Sequence, residues 1–86
     1  MKTIYKYQLD ASESQVLKLR GKILSAGVQD GNIMVWAVYD DSAPEIPVAI
    51  QVMGTGHDFV NASERDFIGT VFLSRFVFHV FASPNW

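Results

Sequence analysis

A chain of 86 residues with net charge −2 and no cysteine has room for one core, and it excludes disulfide staples and thiolate metal sites. Residues 1–86 are therefore expected to form a single domain, whose thin core hides only about 60–65% of the surface the unfolded chain exposes. Apolar residues make up 49% and aromatic residues 13%, more than such a core readily covers, so self-association is the expected reinforcement.

Charge is unevenly spread. Residues 1–22 carry five cations, Lys2, Lys6, Lys18, Arg20 and Lys22, against Asp10 and Glu13, a balance of +3. Residues 23–86 carry Arg65 and Arg75 against seven acids, a balance of −5. A net negative chain is a poor general binder of nucleic acid, because phosphate neutralisation dominates that affinity. The first ten residues, MKTIYKYQLD, lack the continuous apolar region of a secretion signal, and no window approaches the ~18 apolar residues of a membrane span. The expected location is cytoplasmic, with no membrane partner.

In chain order, TIYKYQL alternates, with Tyr5, Tyr7 and Leu9 on one side and Ile4, Lys6 and Gln8 on the other; this is the pattern of a half-buried strand. DASES interrupts it with side chains that compete for backbone hydrogen bonds. QVLKLR, with Leu17 and Leu19 opposed to Val16, Lys18 and Arg20, and KILSAGVQ after Gly21 read as the second and third strands. Asp30-Gly31-Asn32 is the clearest turn, since Asp-Gly accepts positive φ and twists with flanking strands into a hairpin. IMVWAVYD is apolar on both faces and calls for cover on both. DSAPEIP is a loop whose two prolines do not suit an inner strand, and VAIQVM is the fifth strand.

HDFVNASERD is polar enough for a loop and long enough for one short helix near residues 58–66. FIGTVFL and FVFHVFA are strands separated by Ser74-Arg75. The last of these has no charge and two apolar faces, so it must be central or meet another subunit. The expected fold is all-β: an antiparallel meander of about six or seven strands, closing as a small barrel or a sandwich.

The segments TIYKYQL, KILSAGVQ, VWAVYD, GTGH, FIGTVF and VFHVF, at these spacings, resemble a family of small phage- and prophage-encoded proteins of unknown function. The similarity runs from Thr3 to Phe81 and is most specific at Trp36-Ala37, Gly54-Thr55-Gly56-His57 and Phe67-Ile68-Gly69-Thr70. It brings no catalytic residues to carry over. It implies action inside an infected bacterium, in the host cytoplasm. By analogy with small oligomeric host-defence inhibitors, it also implies sequestration of a nucleotide signal between subunits.

The ligand candidates follow from residue type. Gly54-Thr55-Gly56-His57 interrupts an apolar run, and two glycines at a strand end allow backbone N–H groups to converge on an anion, with Thr55 and His57 beside them. The same residues also make an ordinary strand-ending bend, the more economical reading. The segment lacks a third glycine and a following lysine, so it is neither a dinucleotide fingerprint nor a P-loop. Lys18, Arg20 and Lys22 recur at every second position and would form a basic stripe if Gly21 left the chain straight. His57, Asp58, Glu64, Asp66 and His79 have no spacing that sets a metal geometry, and His79, between Val77 and Phe81, reads as a satisfied core histidine. No serine lies in a nucleophile elbow, so no enzyme and no cofactor is expected.

The function expected from these residues is binding without catalysis. One form is a homo-oligomer that holds an anionic, nucleotide-like ligand near Gly54–His57 and the basic N-terminal third. The alternatives are a protein-interaction inhibitor of a host enzyme or complex, and a small structural part of a virion.

Overall fold

The computed structural model describes residues 1–10, 14–56 and 65–83. Seven strands run β1 (Lys2–Leu9), β2 (Ser14–Leu19), β3 (Ile23–Gln29), β4 (Asn32–Asp40), β5 (Ile46–Gly54), β6 (Asp66–Leu73) and β7 (Phe76–Ala82). They form two antiparallel sheets, β1-β4-β3 and β2-β5-β7-β6, arranged as a sandwich and not as a closed barrel. Most of the segment expected to hold a short helix, 58–66, lies outside the described residues; within it, Asp66 opens β6.

The strand order departs from a meander. Only β3–β4 and β6–β7 are hairpins; β1 passes over its neighbour in sequence to pair with β4, and β2 pairs with β5. The chain changes sheet between β1 and β2 and again between β2 and β3. At the second crossing, the Val38 amide donates to Lys22 O at 2.9 Å and the Asp40 amide to Arg20 O at 3.1 Å, so Arg20–Lys22 lies against β4.

The alternation of the strands becomes the core. Leu9 on β1, Ile33, Val35 and Ala37 on β4, Ile23 on β3, Leu17 and Leu19 on β2, Val48, Ile50 and Val52 on β5, Val71 on β6, and Val80 and Ala82 on β7 pack between the sheets. A fully buried valine, leucine or isoleucine stabilises the fold by about 1.5–3 kcal/mol relative to leaving it exposed, so this layer carries most of the driving force. The half-buried face expected of β1 is graded: Leu9 is buried, Tyr7 packs at the core's margin, and Tyr5 is exposed and stacks on Tyr39 with ring centroids 4.6 Å apart.

β4 is covered on both faces, as its apolar pattern requires. Met34, on the side away from the core, is buried, and Lys6 crosses that side to donate to Gln29 Oε1 at 2.7 Å. Gly27 leaves room for the neighbouring Trp36 ring, which a Cβ there would approach to 3.0 Å. β7 is central, flanked by β5 and β6, which accounts for its two apolar faces. Pro47 lies within β5, on a stretch paired with β2 but beyond the pairing with β7, which begins at Ile50; its missing N–H therefore costs no bond on that side.

Both two-residue hairpin turns use positive φ. Asp30 and Gly31 adopt φ 53° and 75°, the pattern of a type I′ turn, and Ser74 takes φ 58° at the first position of the β6–β7 turn. Each hairpin also carries a register shift, at Leu24 in β3 and Ile68 in β6. Near these bulges the sheets approach each other, with Gly69 facing Ala26.

Candidate functional site

The ends of β5 and β7 define the site. Gly54 pairs with Phe78 as the last residue of β5, after which the chain turns through Thr55 and Gly56, the latter at φ 92°. The β6–β7 hairpin runs on past this point, because Leu73 pairs with Phe76 around Ser74-Arg75. The offset between the short strand and the longer hairpin leaves an open concavity of about 430 Å³, lined by Gly54, Thr55, Arg75, Phe76, Val77 and Phe78.

Its chemistry is a cation beside aromatic surface. Arg75 is exposed, and no acidic side chain pairs with it among the described residues. Phe76 is 59% exposed and lies with its ring centroid 6.3 Å from that of Phe78. A guanidinium presents a planar fork of donors suited to phosphate or carboxylate, and an exposed ring offers a stacking face.

Thr55 is held from two sides. Its amide donates to Val77 O at 3.1 Å, and its Oγ1 lies 2.8 Å from His79 Nε2 and 3.4 Å from Val77 O. The other ring nitrogen of His79, Nδ1, lies 2.9 Å from Thr70 Oγ1. One imidazole therefore ties the end of β5 to β6 across the central strand, with both nitrogens engaged. The register explains the arrangement and corrects the expected core position of His79. Met53 and Thr70 are its cross-strand partners. Because Val80 next to it points into the core, His79 and these side chains lie on the face of the second sheet that points away from the core, where the two threonines satisfy the ring.

This geometry revises the backbone cradle expected at Gly54–Gly56. The Thr55 amide is committed to Val77 and is not presented to an incoming anion, while Gly54 still belongs to the strand. What the corner contributes is the Thr55 hydroxyl and open space. His57 lies outside the described residues.

The basic residues expected to complete the site are not brought to it. Lys18 pairs with Pro47 at the opposite end of β5 from Gly54; seven residues of extended strand separate them by about 23 Å. Arg20 is half-buried and donates from Nη1 to Ala43 O at 2.7 Å, fastening the loop after β4. Lys22 is exposed on the crossing segment, where Gly21 is squeezed against Val38. Lys18, Arg20 and Lys22 are thus distributed over a strand, a loop clamp and a crossover, and do not make one stripe.

The cation that does stand at the Gly54–Thr55 corner, Arg75, is absent from the candidates drawn from the sequence. Its signal is indirect: a two-residue turn between FIGTVFL and FVFHVFA places Arg75 at a hairpin tip, but only the pairing of β5 with β7 brings that tip beside Gly54. A second cluster, Tyr5, Tyr7 and Tyr39, lies on β1 and β4 of the first sheet. There burial pushes the Tyr7 phenol above its ordinary value of 10.0, with Tyr39, Tyr5 and Glu45 adding to the rise. It is a packing feature of β1 and β4.

Neither curated proteins nor solved structures include a match to this chain. The family model described as Domain of unknown function (DUF7352) matches residues 1–85, and the chain belongs to that family.

Proposed function

We propose that this chain is a phage- or prophage-encoded, non-enzymatic binding protein that self-associates in the host cytoplasm and captures a small anionic, nucleotide-like ligand, so acting as an inhibitor of host defence. The observation that carries the reading is the concavity at the end of β5, where Arg75, without an acidic partner among the described residues, and an exposed Phe76 flank Gly54 and Thr55. Its volume falls in the range of small-molecule sites, and the combination of one guanidinium with one stacking ring suits a phosphate joined to a flat base. The phage origin and the role against host defence rest on the sequence resemblance and on analogy.

The test is capture and release. Purified protein is incubated with a panel of linear and cyclic nucleotides, the free fraction is assayed, and the protein is then heated to release what it held. Depletion of one nucleotide and its recovery unaltered after heating support the reading, and Arg75→Ala is expected to weaken that capture at least tenfold, the loss of a charge-assisted bidentate contact. Unchanged free nucleotide across the panel overturns it. Recovery of a cleaved product would instead make the protein an enzyme.

A second reading, direct inhibition of a host protein, is favoured by Phe67 and Phe72, which are 58% and 70% exposed on the second sheet. Exposed aromatic residues are common anchors of protein interfaces. Under this reading, a pull-down from bacterial lysate recovers one dominant partner, and Phe72→Ala loses it while Arg75→Ala does not.

A further inference from the structure

We infer that His79 is a positioning residue that couples anion binding in the concavity to proton uptake, acting through the hydroxyl of Thr55; this rests on the nucleotide-binding reading above. The argument begins with hydrogen-bond counting. Thr55 is one of the residues lining the concavity, and its Oγ1 lies 2.8 Å from His79 Nε2, while Thr70 Oγ1 lies 2.9 Å from Nδ1. A hydroxyl has one hydrogen to give, and a neutral imidazole has one N–H donor and one acceptor nitrogen.

Two neutral arrangements satisfy the ring. In one, Nδ1–H donates to Thr70 and Nε2 accepts the Thr55 hydrogen, so Thr55 faces the concavity with lone pairs only and repels an anion. In the other, Nε2–H donates to Thr55, Nδ1 accepts from Thr70, and the Thr55 hydrogen points to Val77 O at 3.4 Å, a long bond that an anion can replace. Protonation removes the choice. Both ring nitrogens then donate, both threonines accept, and the Thr55 hydrogen, left with only the long 3.4 Å contact to Val77 O, can turn to an anion. The positive charge of the ring also stands one hydrogen bond from the concavity that already holds Arg75.

The surroundings contain little that would mask the effect. Facing His79 from β5 are Gln51, Met53 and Thr55; from β6, Phe67, Thr70 and Phe72; and along β7, Val77 and Phe81, with Arg75 at the turn. Among the described residues none of these is an acid, and Arg75 is the one charged group of the set. A bound anion therefore supplies the compensating charge for an imidazolium that these neighbours leave without a carboxylate. By reciprocity, the proton tightens the anion and the anion tightens the proton.

The experiment measures the affinity of wild-type protein for the tightest 3′,5′-cyclic nucleotide of the capture panel from about pH 8 to pH 5.5, the interval in which histidine side chains commonly change charge. Cyclic diesters are the right probe because their single charge is constant there, whereas a phosphate monoester itself titrates near pH 6. Wild type is expected to bind about tenfold more tightly at the acid end, within the usual range of coupling between two sites. His79→Gln is expected to bind with a flat profile.

Binding that does not vary with pH overturns the inference and leaves the binding reading intact. So does a pH dependence that survives in His79→Gln. Absence of binding by any cyclic nucleotide at any pH overturns the inference, and the capture panel then decides the broader reading separately. If His79→Gln fails to fold, Thr55→Val with His79 retained is the second variant: a steep profile persisting without the hydroxyl rejects the route through Thr55.

Discussion

Gly21 stands where the crossover between the sheets passes β4 most closely. A Cβ built there would lie 2.3 Å from Val38 O, and the neighbouring bonds from the Val38 and Asp40 amides hold the two backbones at that separation. Gly69, on β6, faces Ala26 with nothing nearer than 3.5 Å to an added methyl, and its φ is not positive. The two glycines therefore predict opposite outcomes. Gly21→Ala should destabilise by about 1–3 kcal/mol, because the backbone must separate to admit the methyl. Gly69→Ala should be tolerated or stabilising by up to about 1 kcal/mol, since it lowers the backbone entropy lost by a strand glycine. Urea unfolding of the two variants checks both signs, and equal losses would remove the close-approach account. In the sequence Gly21 is legible as an interruption of the basic stripe but not as a contact, because its neighbour, Val38, is distant in the chain. The same limit hides Arg75. Thr55 and Gly54 can be picked out from the apolar run they break, whereas Arg75 acquires a site only through the register of β5 against β7.

At the scale of elements, the seven strands are legible because alternation and β-branched content mark each one, and Asp30-Gly31 marks a hairpin without further information. Their partners are less so. A short connector suggests that consecutive strands are neighbours, yet β1–β2 and β2–β3 carry the chain between sheets, so β1 and β2 pair with β4 and β5. The energetic reason lies in the faces. β4, β5 and β7 are the most apolar strands and are stabilised by a neighbour on both edges, which makes them the inner strands of their sheets and leaves β1 and β2, with their lysines, on outer edges. The two hairpin turns meet the same steric demand with different residues. Gly31 takes φ 75° without a Cβ, while Ser74 takes φ 58° against the cost of its side chain. Gly31→Ala is expected to lower stability by about 1 kcal/mol. Ser74→Gly is expected to raise it by about 0.5 kcal/mol, the relief of strain outweighing the added freedom of the unfolded chain. Denaturant midpoints with unchanged slope read both effects; a Ser74→Gly variant less stable than wild type would mean the serine side chain makes a compensating bond.

For the whole molecule, the decisive feature is the face of the second sheet that points away from the core. Val16 on β2 and Phe67 and Phe72 on β6 are 63%, 58% and 70% exposed there, and among the described residues Lys18 is the one charged side chain that the registers place on the same face of β2, β5, β6 or β7. Two copies meeting through such a face by a twofold axis would bring apolar surface together without acid opposite acid, and the lysines, near one end, are the groups that must avoid each other. A stable contact needs roughly 800 Å² per partner. The proposed self-association therefore predicts light scattering at a multiple of the monomer mass at high micromolar concentration. Phe72→Lys should return the protein to a monomer without changing its circular dichroism, because the side chain it replaces is already largely in water. The site belongs to a single copy in this arrangement, since Arg75 and Phe76 sit at the hairpin tip and not in the middle of the face. Nucleotide capture by a Phe72→Lys monomer would then show that the pocket is complete in one chain. Capture lost with the oligomer, in a variant that still folds, would place part of the pocket on the neighbouring copy. Wild type that stays monomeric at every concentration would end the self-association reading and leave the exposed phenylalanines to a different protein.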